Sequence, residues 1–245
     1  MLKLLSYPLT ILFFILFGSV LVIFHPIQWF CLNVFGYDAH KRSVSILNWL
    51  IMCCTRVLGT RYTFVNPHTI PNDRPLIVVT NHQSMYDIPP IIWYMRKYHP
   101  KFVSKLELGK GIPSVSFNLR HGGSALIDRK DPKQSIGELQ KLGQYIEKHH
   151  RSAVIFPEGT RSRTGAPKPF RTTGLKVLMK QSPSALLVPI SINNSWKMLR
   201  YGKFPMGLGS HIQFKVHAPI ENKGNLDELI AQIEEKVVSG IHKMP

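Results

Sequence analysis

The sequence predicts an α/β fold, a largely parallel central sheet flanked by helices and preceded by an N-terminal membrane-associated helix pair. Two patterns carry this reading. From about residue 60 onward short β-rich runs alternate with helical periodicities, the arrangement that builds parallel sheets through crossover helices. Before that point, Leu4 to Tyr37 contains no Asp, Glu, Lys or Arg. A chain of 245 residues with 44% hydrophobic side chains fits one globular unit with a sizeable core plus an appendage. We therefore divide it at residue 60, into an anchoring helix pair (1–60) and a globular unit (61–245).

Within the appendage, Tyr7 to Phe24 is long and apolar enough to approach a bilayer span. A secretory signal is the competing reading, but no small-residue cleavage site follows and apolar character continues through Ile27, Trp29 and Phe30. A second apolar run, Ser43 to Thr55, lies between Arg42 and Arg56 and is too short to cross. The pair reads as two helices dipping into one leaflet, with a true single span as the alternative.

In the globular unit, Leu76–Thr80, Phe102–Ser104, Ser124–Ile127, Ala153–Phe156, Leu186–Ile190 and Ile212–Val216 read as strands. Asp131-Pro132 opens a helix whose apolar face is Ile136, Leu139, Leu142 and Ile146, and Asn225 opens another through Leu226, Leu229, Ile230, Ile233 and Val237. In sheets of this kind ligands sit beyond the carboxyl ends of the strands. Four successive strand ends carry chemistry there: Asn81 to Asp87, Lys105 to Glu107, Asp128 to Lys130, and Pro157 to Ser162.

Composition narrows the choices. The formal net charge is +17, and all but four of the 31 Lys and Arg lie beyond residue 60, so the globular unit expects anionic partners. The three cysteines, Cys31, Cys53 and Cys54, all lie in the apolar N-terminal stretch, which argues against a disulfide framework, a Cys-ligated zinc and a cysteine nucleophile. No metal site is expected. Phosphate-loop, dinucleotide, zinc-protease and serine-hydrolase signatures are all absent. A basic nucleic-acid binder would leave the apolar N-terminus unexplained and shows no reader module, so no nucleic-acid partner is expected.

His82 and Asp87 form H-x-x-x-x-D, a spacing that separates the side chains on a continuous helix, so they meet only if the chain turns between them. Asp87 suits an N-cap ahead of Ile88-Pro89-Pro90, and by spacing alone that cap is the better reading. The other is a carboxylate that holds the His82 Nδ1 proton and frees Nε2 as a base. Phe156 to Ser162 (F-P-E-G-T-R-S) is sharper. Pro157 ends a strand, Gly159 admits close backbone approach, and Thr160, Arg161 and Ser162 offer donors suited to phosphate. An exposed turn with Glu158 and Arg161 paired is its bland alternative. Lys105 with Glu107 and Asp128 with Arg129 read singly as solvated salt bridges, and as a set as a phosphate clamp. The basic run Arg161, Arg163, Lys168, Arg171, Lys176 and Lys180 reads equally as a carrier- or lipid-binding face and as a solubilising one.

N-H-Q-S-M-Y-D, K-L-E-L with G-G-S-A-L-I-D-R, F-P-E-G-T-R-S and L-V-P-I, in that order, resemble the glycerolipid acyltransferase family typified by bacterial 1-acylglycerol-3-phosphate acyltransferase. The resemblance implies an acyltransferase domain over 61–245 and a His-Asp general-base mechanism, with His82 the base and Asp87 its partner. It implies that Lys105, Arg129 and Arg161 hold the phosphate while Glu158, Gly159 and Thr160 shape the acceptor site. It also implies a lysophospholipid acceptor, lysophosphatidic acid giving phosphatidic acid, with acyl-CoA or acyl carrier protein as thioester donor and no bound cofactor. Glycerol 3-phosphate or a phosphate-free lysolipid is the alternative acceptor, and a non-catalytic basic module binding membrane or nucleic acid is the remaining alternative. Anionic membrane lipids would be partners, at a bacterial inner membrane with the catalytic domain on the cytoplasmic face. One departure stands out: after K-L-E-L the family commonly has a proline and a glycine at closer spacing, where this chain has Gly109 to Ser116.

Overall fold

Short runs of branched apolar residues lay down a mixed sheet, seen in a computed structural model that describes residues 2–241. The elements in chain order are α1 (Leu2–Phe35), α2 (Tyr37–Thr55), β1 (Arg61–Val65), β2 (Leu76–Thr80), α3 (Ile88–Tyr94), β3 (Pro100–Lys105), α4 (Val115–His121) and β4 (Ala125–Ile127). They continue with α5 (Pro132–His149), β5 (Ser152–Ile155), α6 (Thr172–Gln181), β6 (Leu186–Asn193), β7 (His211–Val216), β8 (Ile220–Glu221) and α7 (Leu226–Ser239). The strand order is β1-β7-β6-β2-β5-β3-β4, with β8 also paired to β6.

Strands β4, β3, β5, β2 and β6 are mutually parallel. Both β7 and β8 run antiparallel to β6, and β1 is parallel to β7, so one edge of the sheet is reversed. Strand β1 is an element the sequence reading passed over. Its residues are alternately exposed and half-buried, a weaker signal than the fully buried run of β2.

The period-two alternation of the central strands sorts two cores. Ile77, Val79, Ala153, Ile155 and Leu187 pack on one face with Leu142 and Ile146 of α5, Leu175 and Leu178 of α6 and Ile233 of α7. Leu76, Val78, Val154, Val188 and Ile190 pack on the other with Ile91 of α3, Val44 of α2 and Phe13 of α1. The helix pair therefore shares a core with the sheet. Phe13 is fully buried and meets the Tyr86 ring edge-on at 5.9 Å, a burial that contributes about 2–3 kcal/mol.

The helix boundaries follow local chemistry. Asp131 caps α5 by accepting from Gln134 N at 3.0 Å, with Pro132 in the first turn and left-handed His150 ending the helix. Asn225 caps α7 through the Asp227 and Glu228 amides. Helix α2 starts six residues before its apolar run and buries one face that includes His40, Val44, Leu47, Asn48 and Ile51. Helix α1, 34 residues, reaches about 50 Å, is the one helix among the described residues long and apolar enough to cross a membrane, and leaves most of its apolar side chains uncovered. That character is consistent with membrane association.

Candidate active site

The loop leaving β2 is held by polar side chains that tie it to the end of β6, to the loop after β5 and to its own turn. Asn81 pairs both ways with the Ile192 backbone of β6, its Nδ2 donating at 2.8 Å and its Oδ1 accepting at 2.7 Å. Gln83 accepts from Ser195 N at 3.0 Å and donates to Gly165 O at 3.3 Å, bridging the turn after β6 to the long loop after β5. Ser84 caps a single 3-10 turn, Met85 to Asp87, by accepting from Tyr86 N. All four residues, Asn81, Gln83, Ser84 and Asp87, are buried, and full pairing is what makes that burial tolerable.

The 3-10 turn brings the H-x-x-x-x-D pair together. Asp87 Oδ2 accepts from His82 Nδ1 at 2.8 Å and from the amides of Gln83 and Ser84 at 2.8 and 2.9 Å. Its other oxygen accepts a short hydrogen bond from Ser195 Oγ. Asp87 therefore does cap a turn, but the one behind it, reciprocally with Ser84; it makes no side-chain cap to α3, where its spacing suggested one. A carboxylate surrounded by four donors can only accept, so Nδ1 of His82 carries the ring proton and Nε2 is left as an acceptor. The Arg161 guanidinium, which can only donate, faces that Nε2 at 3.4 Å.

Phe156 stacks on the His82 ring at 4.1 Å and 25°, and Ser162 N donates to His82 O at 2.7 Å, so the two main motifs are joined directly. Gly159 stands at φ +69 with the Arg171 side chain packed over it; a Cβ there would lie 3.2 Å from Arg171 Cδ. Glu158 is buried, not paired with Arg161 at the surface, and burial raises its carboxyl to about 7 against the opposing pull of the Lys168 and His82 amides and the Lys168 ammonium. Thr160 and Arg161 are exposed beside it.

Arg129 joins this rim from the loop after β4. Partial burial, then the nearby Arg171, pull its proton affinity below the usual arginine range; Glu107 acts the other way and Arg161 reinforces the fall. Among the described residues, Arg129, Arg161 and Arg171 have no ion-pair partner. Asp128 does not pair with Arg129; its Oδ1 accepts from Lys130 N, and its own amide bonds Gln134. Lys105 is exposed at the end of β3, in register with Ile127. It shows no hydrogen bond or ion pair to the His82 cluster. A concavity of about 800 Å³ between α2, β1 and α3 is lined by residues such as Trp49, Arg56, Tyr62 and Trp93 and by none of the motif residues.

Sequence reasoning missed Ser195. Its only signal is a polar turn after a long apolar strand, and its partner lies 108 positions away. What the assembled groups can do is accept a proton at Nε2 of a ring whose tautomer is fixed, beside three cations free to take an anion.

A family model described as Acyltransferase matches residues 61–193. A 1-acyl-sn-glycerol-3-phosphate acyltransferase of Helicobacter pylori is 36% identical over 51% of the chain, and one from Chlamydomonas reinhardtii 25% identical over 85%. The chain spans 54% and 61% of the length of those two relatives. The crystal structure of the 1-acyl-sn-glycerophosphate (LPA) acyltransferase PlsC from Thermotoga maritima is similar, with a TM-score of 0.78 and 25% identity, covering 99% of this chain and 97% of that one. With the model match spanning more than half of its length, the chain belongs to the acyltransferase family.

Proposed function

We propose that the protein transfers a fatty acyl group from a carrier thioester, acyl-CoA or acyl carrier protein, to the sn-2 hydroxyl of 1-acylglycerol 3-phosphate, giving phosphatidic acid. The observation that carries this reading is the line Asp87–His82–Arg161: a carboxylate on Nδ1, a bare Nε2, and a cation standing where substrate must enter. The acceptor phosphate draws Arg161 away from His82, together with Arg129, and the acceptor hydroxyl takes its place at Nε2. The 3.4 Å contact is long for a hydrogen bond, so little is lost in releasing it.

As the hydroxyl oxygen attacks the thioester carbonyl, its proton passes to Nε2 and Asp87 stabilises the imidazolium that forms. Collapse of the tetrahedral intermediate expels the thiolate, which takes the proton back from Nε2. The products are the ester and the free thiol, and the histidine is restored. No group on the protein is acylled, which suits a globular unit without cysteine. The buried hydrogen bonds around Asp87 hold the base in place before substrate arrives, so orientation is part of the rate enhancement. The site works beside α1, whose exposed apolar length gives the lipid substrates a shared phase with the enzyme.

The test is purified full-length protein in detergent, with free thiol release read against a panel of acceptors. Lysophosphatidic acid should be consumed, and His82→Ala should reduce release by at least about two orders of magnitude with folding unchanged by circular dichroism. Retained activity in that variant removes the base from the scheme. Preference for glycerol 3-phosphate or for a phosphate-free lysolipid replaces the acceptor.

A further inference from the structure

At the amino-terminal edge of the sheet, the end away from His82, a crevice opens between α2, α3, α4 and the start of β3. Its walls include His40 and Lys41 of α2, Arg96, His99 and Lys101, with Asn118 and Ser124 on the far side. The floor is unusual in its charge. Lys101 is 5% exposed and donates to the Tyr37 hydroxyl at 2.9 Å, and that hydroxyl also meets His99 Nδ1 at 2.9 Å. Arg151 lies over the Tyr37 ring at 3.7 Å. His40 has no exposed surface, and neither ring nitrogen has a hydrogen-bond partner.

Buried cations are ordinarily matched by carboxylates, because an unmatched one has lost its hydration without gaining a partner. Here Lys101 is buried, Lys41 and Arg151 are half-buried and Arg96 is exposed, and none of the four forms an ion pair among the described residues. Among the described residues the nearby carboxylate is Asp38, which is exposed and acts on Lys41 and His99. Burial, Arg151 and Lys41 bring Lys101 down to about 7, and burial with Lys101 and His121 brings His40 to about 4. These are groups that one anion would satisfy together.

We propose that this crevice is a second anion site, for a phosphate-class oxyanion that sets one oxygen against Lys101 and His40 and rests its remaining oxygens among Lys41, Arg96 and His99. The crevice holds about 20 Å³, room for a single oxygen-sized group, so the rest of the anion stays at its mouth. Such a group comes either from a lipid headgroup or from a soluble phosphate or phosphoester. The crevice adjoins the α1–α2 turn, where Phe30, Val34 and Phe35 are exposed, and a headgroup fits that position.

Calorimetric titration of the full-length protein in neutral detergent with inorganic phosphate tests the site. A double variant Arg129→Ala/Arg161→Ala, which disarms the rim near His82, should keep one binding event. Lys101→Met should weaken that event about tenfold or more without lowering the melting temperature, since it removes a buried, unmatched charge. Arg96→Ala, at an exposed position that cannot disturb the core, should weaken it several-fold. Flotation with vesicles of phosphatidylcholine alone, or with added phosphatidylglycerol, separates the sources. Loss with Lys101→Met in the titration alone assigns a soluble phosphate; loss of the phosphatidylglycerol-dependent flotation assigns a headgroup. Indifference of both assays to Lys101 and Arg96 overturns the site. The readout is binding and not turnover, so it stands apart from the role of His82.

Discussion

Replacing Glu158 by glutamine tests the electrostatics of the rim through stability. Burial raises the folded-state carboxyl from 4.5 to about 7, whereas in the unfolded chain it titrates in the ordinary range. Between those values the folded protein holds a proton that the unfolded one has released. The contribution to stability is therefore full below the unfolded value, falls as pH rises through the interval, and is constant above about 7. Two-state linkage puts the fall between pH 5 and pH 8 at roughly 2 to 3 kcal/mol. Glutamine keeps the shape and cannot titrate, so Glu158→Gln should lack that portion of the slope and gain on the wild type as pH rises. Urea unfolding in one neutral detergent at a series of pH values measures both. A difference between the two proteins that stays the same from pH 5 to pH 8 would refute the assignment of a neutral, buried carboxyl.

Further outcomes follow from the same geometry. Asp87→Asn offers an amide where four donors point, disturbs the His82 tautomer and should lower thiol release by about two to four orders of magnitude; a wild-type rate would detach Asp87 from the reaction. Ser195→Ala removes one donor to Asp87 while leaving the Ser195 amide on Gln83. It should lower kcat by roughly threefold to tenfold with KM for donor and acceptor unmoved, and a change confined to KM would place Ser195 in binding instead. Gly165→Ala sets a Cβ 2.3 Å from Trp196 Nε1 at φ +86, a clash worth about 1–3 kcal/mol, visible as a lower melting temperature.

How far the fold could be read from sequence depended on how a residue earned its place. Strand β2 was legible because Leu76 to Val79 is buried on both faces and has no polar member. Helices α5 and α7 were legible because Asp131 and Asn225 announce them. Strand β1, with Arg61 at its start and every second residue exposed, carried half the signal, and its pairing with β7 lies 150 positions distant. Helix α6 has no side-chain cap and began unannounced. Asp87 was ambiguous for a geometric reason: periodic spacing presumes one continuous helix, whereas a 3-10 turn intervenes and folds its carboxylate back on His82.

The polar residues of the candidate site divide into two populations with different physical states, and that division bears on mechanism. Asn81, Gln83, Ser84, Asp87 and Ser195 are buried and tied to three separate strand ends, so none can move without leaving a buried group unpaired. Among the described residues Arg129, Arg161 and Arg171 have no carboxylate partner, and the Arg161 guanidinium makes a long contact to Nε2. A tightly bonded base beside exposed cations without ion pairs means that the energy of binding a phosphate goes into moving side chains already in water, while the His82–Asp87 geometry is assembled during folding. Substitutions in the first group should therefore act on turnover and stability together, and substitutions among the arginines on acceptor affinity alone. An arginine variant that unfolded the protein, or a Gln83 variant that changed only acceptor affinity, would contradict that division.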